Sequence, residues 1–415
     1  MPKVRVIDPE PATPTNLRAE GRSRILSALY RAGRATRPQL QVHTGLSRAT
    51  VASLITDLIA EGLVREDDAV REPSGRTQGR PAQTLSVVSH AAYAAAADIG
   101  HTHVHVMLCD LSGEVVWERR MPNDTDLRPA PTIAMVADAI AESLAVTGIA
   151  PGRVLGLSVG IACPVVRGAA ELEADGIMAG WVGVQPADEL SARTGLPVRL
   201  ANDANAGAVG EWLYGAGRGV DDLVYIRLSA GIGAGIIAGG RLLTGDRGIA
   251  GEIGHFPVVR DGLFCRCGNR GCLETVASPT ALAALLARSW DRTVEPAELP
   301  GLFAGGQRAV RAAVYEAGEA AGRALAATVT LLDPALVIVG GDLGWAGSAL
   351  LDPIGAAIER YALPMRRRTV RVVLGELGAA APVRGAAGMI LDAAPLTLAA
   401  SGLAAAKSAP VPGGS

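Results

Sequence analysis

Four metal-ligating side chains lie close together in the segment 251–274, which reads GEIGHFPVVRDGLFCRCGNRGCLE. Three of the chain's five cysteines follow a Cys-x-Cys-x4-Cys spacing at Cys265, Cys267 and Cys272, and His255 precedes them by ten residues. Three thiolates and one imidazole complete the tetrahedral set of a structural Zn²⁺ site, in which no position stays open for water. The alternative is three loop cysteines without a metal. The spacing favours a structural zinc ion that fixes the loop.

Two carboxylates, Glu252 and Glu274, stand at the two ends of this segment, and few cationic residues near them in sequence are obviously placed to pair with them. His255 would direct one ring nitrogen at the metal and leave the other for a second contact. The function of such a loop would therefore lie in the groups that it holds in place.

The segment 251–274 resembles the core of the ROK family, which contains transcriptional repressors and sugar kinases. The resemblance continues upstream through the glycine-rich segments 195–217 and 231–254, and it covers most of residues 90–395. An Asn-Asp-Ala-Asn stretch beginning at Asn202, a Gly-Glu-Ile-Gly-His motif and the cysteine cluster occur in that order, which makes the resemblance specific. It implies an α/β body of actin-like, ribonuclease-H-like architecture, with two lobes and a ligand cleft between them.

The resemblance also implies which side chains contact a sugar. Asp203 matches the catalytic base of the family's kinases, which takes a proton from the sugar hydroxyl as it attacks the phosphate. In a protein that does not hold ATP, the same carboxylate would accept a hydrogen bond from the sugar. The alternative is that Asp203 is the N-cap of the helix that follows it. The other implied sugar contacts are Asn202, Glu252, His255 and Glu274.

Both phosphate-binding loops of the family's kinases are altered in this chain. The kinases have Asp-x-Gly-Gly-Thr in a first hairpin and Gly-Thr-Gly in a second loop, because a Cβ atom would collide with the phosphate oxygens. Here the first hairpin reads DIGHT at residues 98–102, with His101 in place of glycine, and the second loop reads SAG at residues 229–231. These changes argue against ATP turnover. Ile177 stands where the kinases often have Asn, which leaves the identity of the sugar open.

The segment 17–88 differs from the rest of the chain in charge and in pattern. It contains eleven arginines and seven acidic residues, for a net charge of +4, whereas the whole chain has −2. Apolar spacing and capping residues predict a winged helix-turn-helix. The predicted elements are a helix over 17–32, a helix from Thr36 to Gly45, a helix from Ser47 to Gly62, and two wing strands over 63–66 and 83–88. The unit resembles the DNA-binding domain that ROK repressors have and ROK kinases lack.

The third helix is predicted to enter the major groove of DNA, because small and hydrogen-bonding residues at its N-terminus point away from its apolar stripe. At the tip of the wing, an extended Gly-Arg-Pro segment would let an arginine reach into the minor groove. The alternatives are a solvated helix pair and an ordinary loop. The predicted DNA contacts are Ser47, Arg48, Ala49, Thr50, Ser53, Arg76 and Arg80.

A chain of 415 residues is long enough for two or three domains. A net charge of −2 argues against a generic polyanion binder. The sequence has no recognisable signal peptide or apolar run of membrane length, and its cysteines suit a reducing compartment, so we expect a cytoplasmic protein.

The predicted organisation is a disordered arm over 1–16, the winged helix-turn-helix over 17–88, a small lobe over 89–201 to which 382–395 return, a large lobe over 202–381 with the zinc loop over 255–272, and a disordered tail over 396–415.

These patterns predict a sugar-responsive transcriptional regulator, a repressor of carbohydrate genes, whose kinase-like body senses a sugar without phosphorylating it. Its expected partners are double-stranded operator DNA, a sugar or sugar derivative, and further copies of the chain in a homodimer or tetramer, with no membrane. One alternative is a ROK sugar kinase with an appended DNA-binding domain, in which Asp203 would be the base. Another is a scaffold whose body binds a protein.

Overall fold

The structure is a computed structural model that describes residues 17–67, 83–363 and 370–401. Its N-terminal unit combines helices with short strands. The elements are α1 (Leu17–Ala32), β1 (Ala35–Thr36), α2 (Arg37–Thr44), α3 (Arg48–Ala60), β2 (Val64–Asp67) and β3 (Thr84–Val87). The strands are antiparallel in the order β1-β3-β2.

Capping residues set the helix boundaries in this unit, as the sequence predicts. Thr36 forms a capping box with Gln39 at the start of α2, and Ser47 caps α3. Gly45, between the two helices, has a φ of 70°, a left-handed conformation that glycine adopts without strain. The winged helix-turn-helix is thus confirmed, while the wing tip with Arg76 and Arg80 lies outside the described residues.

The second unit, the small lobe, is built on a five-stranded sheet. Its elements are β4 (Tyr93–Ile99), β5 (His103–Asp110), β6 (Val115–Pro122), α4 (Pro129–Thr147), β7 (Val154–Ile161), α5 (Pro186–Thr194) and β8 (Val198–Asn202). The order is β6-β5-β4-β7-β8, in which β4, β5 and β6 form the predicted antiparallel meander and β4, β7 and β8 are parallel. Every residue of β4 and β5 is buried, because helices pack on both faces of the sheet.

The third unit, the large lobe, is built on a four-stranded sheet. Its elements, with the C-terminal helix, are α6 (Asp203–Tyr214), β9 (Leu223–Leu228), β10 (Ile232–Ile237), α7 (Glu274–Ala277), α8 (Pro279–Trp290), α9 (Leu299–Ala304), α10 (Arg308–Leu332), β11 (Leu336–Gly340), α11 (Ser348–Tyr361), β12 (Arg371–Leu374) and α12 (Ala381–Ser401). The order is β10-β9-β11-β12, with β9 and β10 antiparallel and the rest parallel. In the sheets of the two lobes, β4 and β9 each pair with an antiparallel hairpin partner on one side and a parallel strand on the other. This confirms the predicted duplicated α/β body.

Helix α12 lies where the three units meet. It packs against α6, against β4, β5 and β7 of the small lobe, and against α1 of the N-terminal unit. Leu391, Ala394 and Leu398 of α12 belong to the same buried cluster as Ile25 and Leu29 of α1. The winged unit and the ROK-like body therefore share one hydrophobic core.

The prediction of a disordered tail from residue 396 is wrong for its first residues, because α12 continues to Ser401. Leu398 is only 1% exposed, since it packs into the cluster shared with α1. A sequence rich in alanine looked like a low-complexity tail, but burial against the N-terminal unit makes it helical. Residues 402–415 lie outside the described residues.

Two helical segments, Pro129–Thr147 and Gly378–Ala400, are long and apolar enough to cross a membrane by length and composition alone. The prediction that the chain has no such run is therefore too strict. Both helices pack against the small-lobe sheet, and core helices of soluble proteins pass the same test. Their apolar character is explained by this packing.

Candidate functional site

The four predicted metal ligands come together in the loop between β10 and α7. The ligand atoms of His255, Cys265, Cys267 and Cys272 all lie within 4.8 Å of one another. His255 Nδ1 is 3.5 Å from Cys265 Sγ, and the Sγ atoms of Cys267 and Cys272 are 3.7 Å apart. Tetrahedral zinc, with Zn–S bonds of about 2.3 Å, separates two thiolate sulfurs by about 3.8 Å. The cluster has the donor set and the spacing for a tetrahedral metal ion.

Backbone contacts bring the two sides of this loop together. Gly271 has a φ of 65°, and a Cβ atom there would collide with the backbone of Val259, so only glycine fits. Next to it, Pro257 and Cys272 form an antiparallel bridge, and Val258 N donates a hydrogen bond to Gly271 O at 2.8 Å. The four ligand side chains close the loop at one end.

Glu274 begins α7 directly after the cysteine cluster and is 8% exposed. Its Oε2 accepts a hydrogen bond from Ile232 N at 3.1 Å, and its Oε1 is 3.0 Å from Arg266 Nε. The sequence analysis found few obvious cationic partners for Glu274, but Arg266, within the Cys-x-Cys motif, folds back and pairs with it. Arg266 Nη1 also donates to Ile177 O at 3.1 Å. The loop thus connects the large lobe to the small lobe beside the cleft.

Glu252 precedes the short turn Ile253–His255. Burial, together with the negative charges of Asp203 and Glu274, raises the pKa of Glu252 to about 7. The structure therefore brings three predicted sugar contacts into one region, where their charges interact. Near neutral pH, Glu252 can donate as well as accept a hydrogen bond.

Helix α6 begins at the same region. Asn202 is its N-cap, because Asn202 Oδ1 accepts hydrogen bonds from Ala204 N and Asn205 N at 3.0 and 3.1 Å. Asn202 Nδ2 donates to Cys163 O at 3.3 Å. The alternative role of Asp203 as the N-cap is therefore wrong. The sugar contact predicted for Asn202 stays a prediction, and the amide has one N–H left to make it.

Asp203 has a buried partner that the sequence analysis missed. Asp203 Oδ2 is 2.7 Å from Arg227 Nη1 in β9, and both side chains are 9% exposed. Burial raises the pKa of Asp203, while the charge of Arg227 opposes that rise. The available signal was an arginine inside the apolar strand LVYIRL, because a charge in a buried strand is costly unless it is paired.

The first hairpin and the second loop, which resemble the phosphate loops of kinases, lie side by side. His101 Nδ1 is 2.7 Å from Asp126 Oδ1, and a Cβ atom placed on Gly231 would lie 3.1 Å from His101 Nε2. The imidazole therefore fills space next to the second loop. Ser229 Oγ accepts a hydrogen bond from Asp342 N at 3.1 Å, which ties that loop to the chain after β11. Both altered positions make contacts within the protein.

The N-terminal turn of α3 presents the predicted DNA contacts to solvent. Ser47 Oγ accepts a hydrogen bond from Thr50 N at 3.1 Å and so caps the helix. Leu54 and Leu58 lie on the buried side of the helix. That these side chains contact bases stays a prediction. The exposed predicted contacts are Ser47, Arg48, Ala49, Thr50 and Ser53.

Comparison with known protein families places residues 94–393 in the ROK family and residues 18–72 in the MarR family. The chain therefore belongs to the ROK family and carries a MarR-type winged helix-turn-helix before the ROK body. This confirms the resemblance and the fold class predicted from the sequence.

Individual relatives include both regulators and kinases. The xylose repressor of Caldicellulosiruptor bescii is 28% identical over 374 residues, which covers 86% of this chain and 92% of the repressor. A crystal structure of a ROK family transcriptional regulator, a homologue of the E. coli MLC protein, superposes with a TM-score of 0.75 at 25% identity, covering 94% of this chain and 99% of that one. The ROK family glucokinase of Streptomyces griseus, solved with glucose and AMPPNP, has a TM-score of 0.63 at 31% identity and covers 72% of this chain and 99% of its own. The regulators match this chain over more of its length than the glucokinase does.

Proposed function

We propose that this protein is a sugar-responsive, DNA-binding transcriptional repressor of carbohydrate genes, whose ROK body senses a sugar without phosphorylating it. The observation that carries the proposal is a continuous packed route from Asp203, in the candidate sugar pocket, to α1 of the winged unit. The repressors and regulators among its relatives support the same function.

The route begins in the pocket, because Asp203 is the first residue of α6. Helix α6 crosses α12 at close range through two glycines. A Cβ atom on Gly210 would collide with the backbone of Ala381, and one on Gly385 would collide with the backbone of Ala206. Such close backbone contact leaves little room for the two helices to move independently.

The route ends at the DNA-binding unit. The C-terminal half of α12 packs against α1 through the cluster that contains Leu391, Leu398 and Ile25. Tyr30 of α1 also donates a hydrogen bond to the backbone oxygen of Leu111, after β5 of the small lobe. A shift of α6 on sugar binding would reach α1 through α12. For this to release DNA, the sugar must bind one arrangement of the units more tightly than the other.

The metal cluster supports the pocket in this proposal. Zn²⁺ bound by His255, Cys265, Cys267 and Cys272 would have no open position, so its role is structural. It would hold Arg266 and Glu274 in place at one side of the pocket and His255 at another. His255 Nδ1 faces the thiol of Cys265, which leaves Nε2 as the ring atom for a sugar hydroxyl.

The contacts of His101 and Ser229 support a sensor over an enzyme, because both side chains fill the side of the cleft that resembles a phosphate site. The second candidate is a ROK sugar kinase with an appended DNA-binding unit. The 31% identity to a glucokinase and the acidic residues around Asp203 favour it. It requires ATP turnover in spite of the altered loops.

The proposed partner of the winged unit is double-stranded operator DNA, read by the exposed N-terminal turn of α3. We propose a homodimer or tetramer, because two-fold symmetric pairs of such units read palindromic sites. A cytoplasmic location follows from this role. The boundaries 17–88, 89–201 and 202–381 given by the sequence analysis for the winged unit and the two lobes are part of the same proposal.

Selection of DNA duplexes from a random library, followed by fluorescence anisotropy with the enriched duplex, tests this function. Addition of D-xylose or D-glucose, without ATP, should weaken DNA binding by at least about 5-fold for one of them. Arg48→Ala should weaken it by roughly 5- to 150-fold, and Arg308→Ala, at the remote start of α10, should not change it. Failure to enrich any duplex, or a wild-type affinity that neither sugar changes, would contradict the proposal.

The coupling route can be tested separately at the α6–α12 crossing. Gly385→Ala should force the helices apart and reduce the sugar-dependent loss of DNA affinity to under about 2-fold. Gly355→Ala in α11 is the matched control, because nothing lies within 4 Å of a Cβ atom there. An unchanged sugar response in a folded Gly385→Ala protein would argue against the route.

A further inference from the structure

Arg227 is a buried cation at the junction of the two lobes. Its neighbours across the sheet are Gly233 on β10 and Gly340 on β11, so neither places a side chain beside that of Arg227. The same face of the sheet packs on α6, since a Cβ atom on Gly233 would lie 3.0 Å from Ala204 Cβ. The guanidinium therefore reaches the first turn of α6.

One carboxylate pairs with this guanidinium, and the charge of a second, from the small lobe, acts on it. Asp203 Oδ2 lies 2.7 Å from Arg227 Nη1. Asp98, at the end of β4 in the small lobe, is 0% exposed, and its Oδ2 is 3.0 Å from His103 Nε2. Although burial opposes it, the hydrogen bond from His103 and the charge of Arg227 lower the pKa of Asp98. Within the described chain, Asp98 Oδ1 is buried without a hydrogen-bond partner.

We propose that Arg227 is a positioning residue of the sugar pocket, which pairs with the buried Asp203 carboxylate, favours its ionised form and fixes it through Oδ2. The sugar part of this inference rests on the proposed function. Because Oδ2 is engaged by Arg227, Oδ1 is the oxygen of Asp203 that accepts a hydrogen bond from a ligand hydroxyl.

The charge balance around Arg227 also selects the class of ligand. One guanidinium pairs with Asp203 and interacts with the charge of buried Asp98, and Glu252 adds negative charge to the same region when it is ionised. A phosphate or carboxylate group on the ligand would be repelled there, because like charges interact strongly at low dielectric. The pocket therefore takes an uncharged sugar in preference to its phosphate ester.

Removal of the Arg227 guanidinium should make the stability of the folded protein depend on pH through Asp203. Without it, burial and the charge of Asp98 would keep Asp203 protonated to higher pH, so the folded state would lose stability as pH rises. The titratable groups facing Asp203 are Arg227 and Tyr225 from β9, Asp98 and His101 from the β4–β5 hairpin, Cys163 after β7, and Glu252 before the zinc loop.

The first test needs no ligand. Thermal unfolding of the full chain is compared at pH 5.5 and pH 8 for wild type, Arg227→Met, Arg227→Lys and Arg227→Met/Asp203→Asn. Arg227→Met should lower the unfolding midpoint by roughly 10 °C at pH 8 and by less than half of that at pH 5.5. Arg227→Lys, and removal of the Asp203 charge in the double variant, should each restore most of the loss at pH 8. Arg119→Met, which breaks the exposed pair with Glu142, is the control and should have little effect.

An equal loss at both pH values, or no restoration in the double variant, would overturn the proposal. Should Arg227→Met not fold, the double variant must fold at pH 8, and its failure to do so would overturn the proposal as well.

The second test measures ligand affinity by calorimetry with D-glucose, D-xylose and D-glucose 6-phosphate. Whichever sugar binds the wild type should bind Arg227→Met at least about 10-fold more weakly at pH 7, with affinity improving as pH rises, while Arg227→Lys stays within about 3-fold. Tighter binding of the phosphate ester than of glucose would overturn the ligand class. If neither neutral sugar binds the wild type, the proposed function fails, and the role of Arg227 is decided by the unfolding experiment alone.

Discussion

The two sides of the interlobe cleft differ in how well they match the motifs of the family's kinases. On one side, Glu252, Asp203 and Glu274 come together as carboxylates that can pair with hydroxyl groups, with the His/Cys cluster beside them. On the other side, His101 fills space against Gly231, and Ser229 is bonded to Asp342. Under the proposed function, the carboxylate side binds the sugar, and His101 and Ser229 occupy the side that resembles the phosphate site of the kinases.

The largest expected effect comes from the metal cluster that supports the first side. Cys265→Ser should reduce zinc from about one ion per chain to a small fraction and abolish the sugar response, because three ligands no longer close the tetrahedral site. Metal analysis and the anisotropy titration with sugar measure both losses. Cys109→Ala, in the buried core away from the cluster, is the control that should keep its zinc. A wild-type protein purified without metal would contradict this part of the account.

Asp203→Asn should weaken binding of the effective sugar by roughly 10- to 100-fold, because a hydrogen bond to a charged acceptor is lost, while DNA affinity without sugar stays within about 2-fold. Asparagine is preferable to alanine, which would leave Arg227 buried without a partner at a cost of about 3–5 kcal/mol. Asp126→Asn, a carboxylate on the phosphate-loop side, is the matched control. Equal losses of sugar affinity in Asp203→Asn and Asp126→Asn would contradict the assignment of sugar binding to the carboxylate side of the cleft.

A smaller effect is expected from the pH dependence of Glu252. Its folded-state pKa of about 7 lies above the ordinary 4.5. The folded state therefore binds the proton more tightly than the unfolded state, and stability should fall as pH rises from about 4.5 to 7 and level off above it. The shift corresponds to at most roughly 3 kcal/mol before solvent screening. Unfolding midpoints between pH 5 and 8 should show the slope, and Glu252→Gln should flatten it. An equally steep slope in the variant would mean that another group is responsible.

The smallest effect is predicted for His101→Gly, which restores the glycine of the kinase hairpin. Sugar affinity should change by under about 2-fold, because His101 pairs with Asp126 and not with the sugar-facing oxygen of Asp203. ADP release should stay at background, since the second loop still reads SAG at residues 229–231 in place of Gly-Thr-Gly. Calorimetry and a coupled ADP assay check these expectations. A strong loss of sugar binding would show that the two sides of the cleft act together.

Local structure was the part that the sequence predicted well. The caps Thr36 and Ser47, the left-handed Gly45 and the His/Cys spacing each determine structure over a few residues, so a short pattern was sufficient. The ROK motifs then supplied the two-lobed body. Short residue patterns of this kind predict individual helices, turns and metal-binding loops and their order along the chain.

Contacts between distant segments were the part that the sequence did not predict. Asp203 and Arg227 are 24 residues apart, and α1 meets α12 from opposite ends of the chain. Nothing local in the alanine-rich stretch after residue 396 indicates that Leu398 is buried against α1. The alternative role of Asp203 as N-cap belongs to Asn202 in the structure, because both residue types cap helices and only the backbone geometry separates them.

The most direct test of the account is a thermal-shift screen of the zinc-loaded protein with hexoses, pentoses, N-acetyl sugars and their 6-phosphates, each with and without Mg-ATP, with ADP release measured in parallel. We predict that one uncharged sugar raises the unfolding midpoint, that Mg-ATP adds nothing to this shift, and that no ADP is formed. Sugar-dependent ADP release would contradict the sensor and establish the kinase.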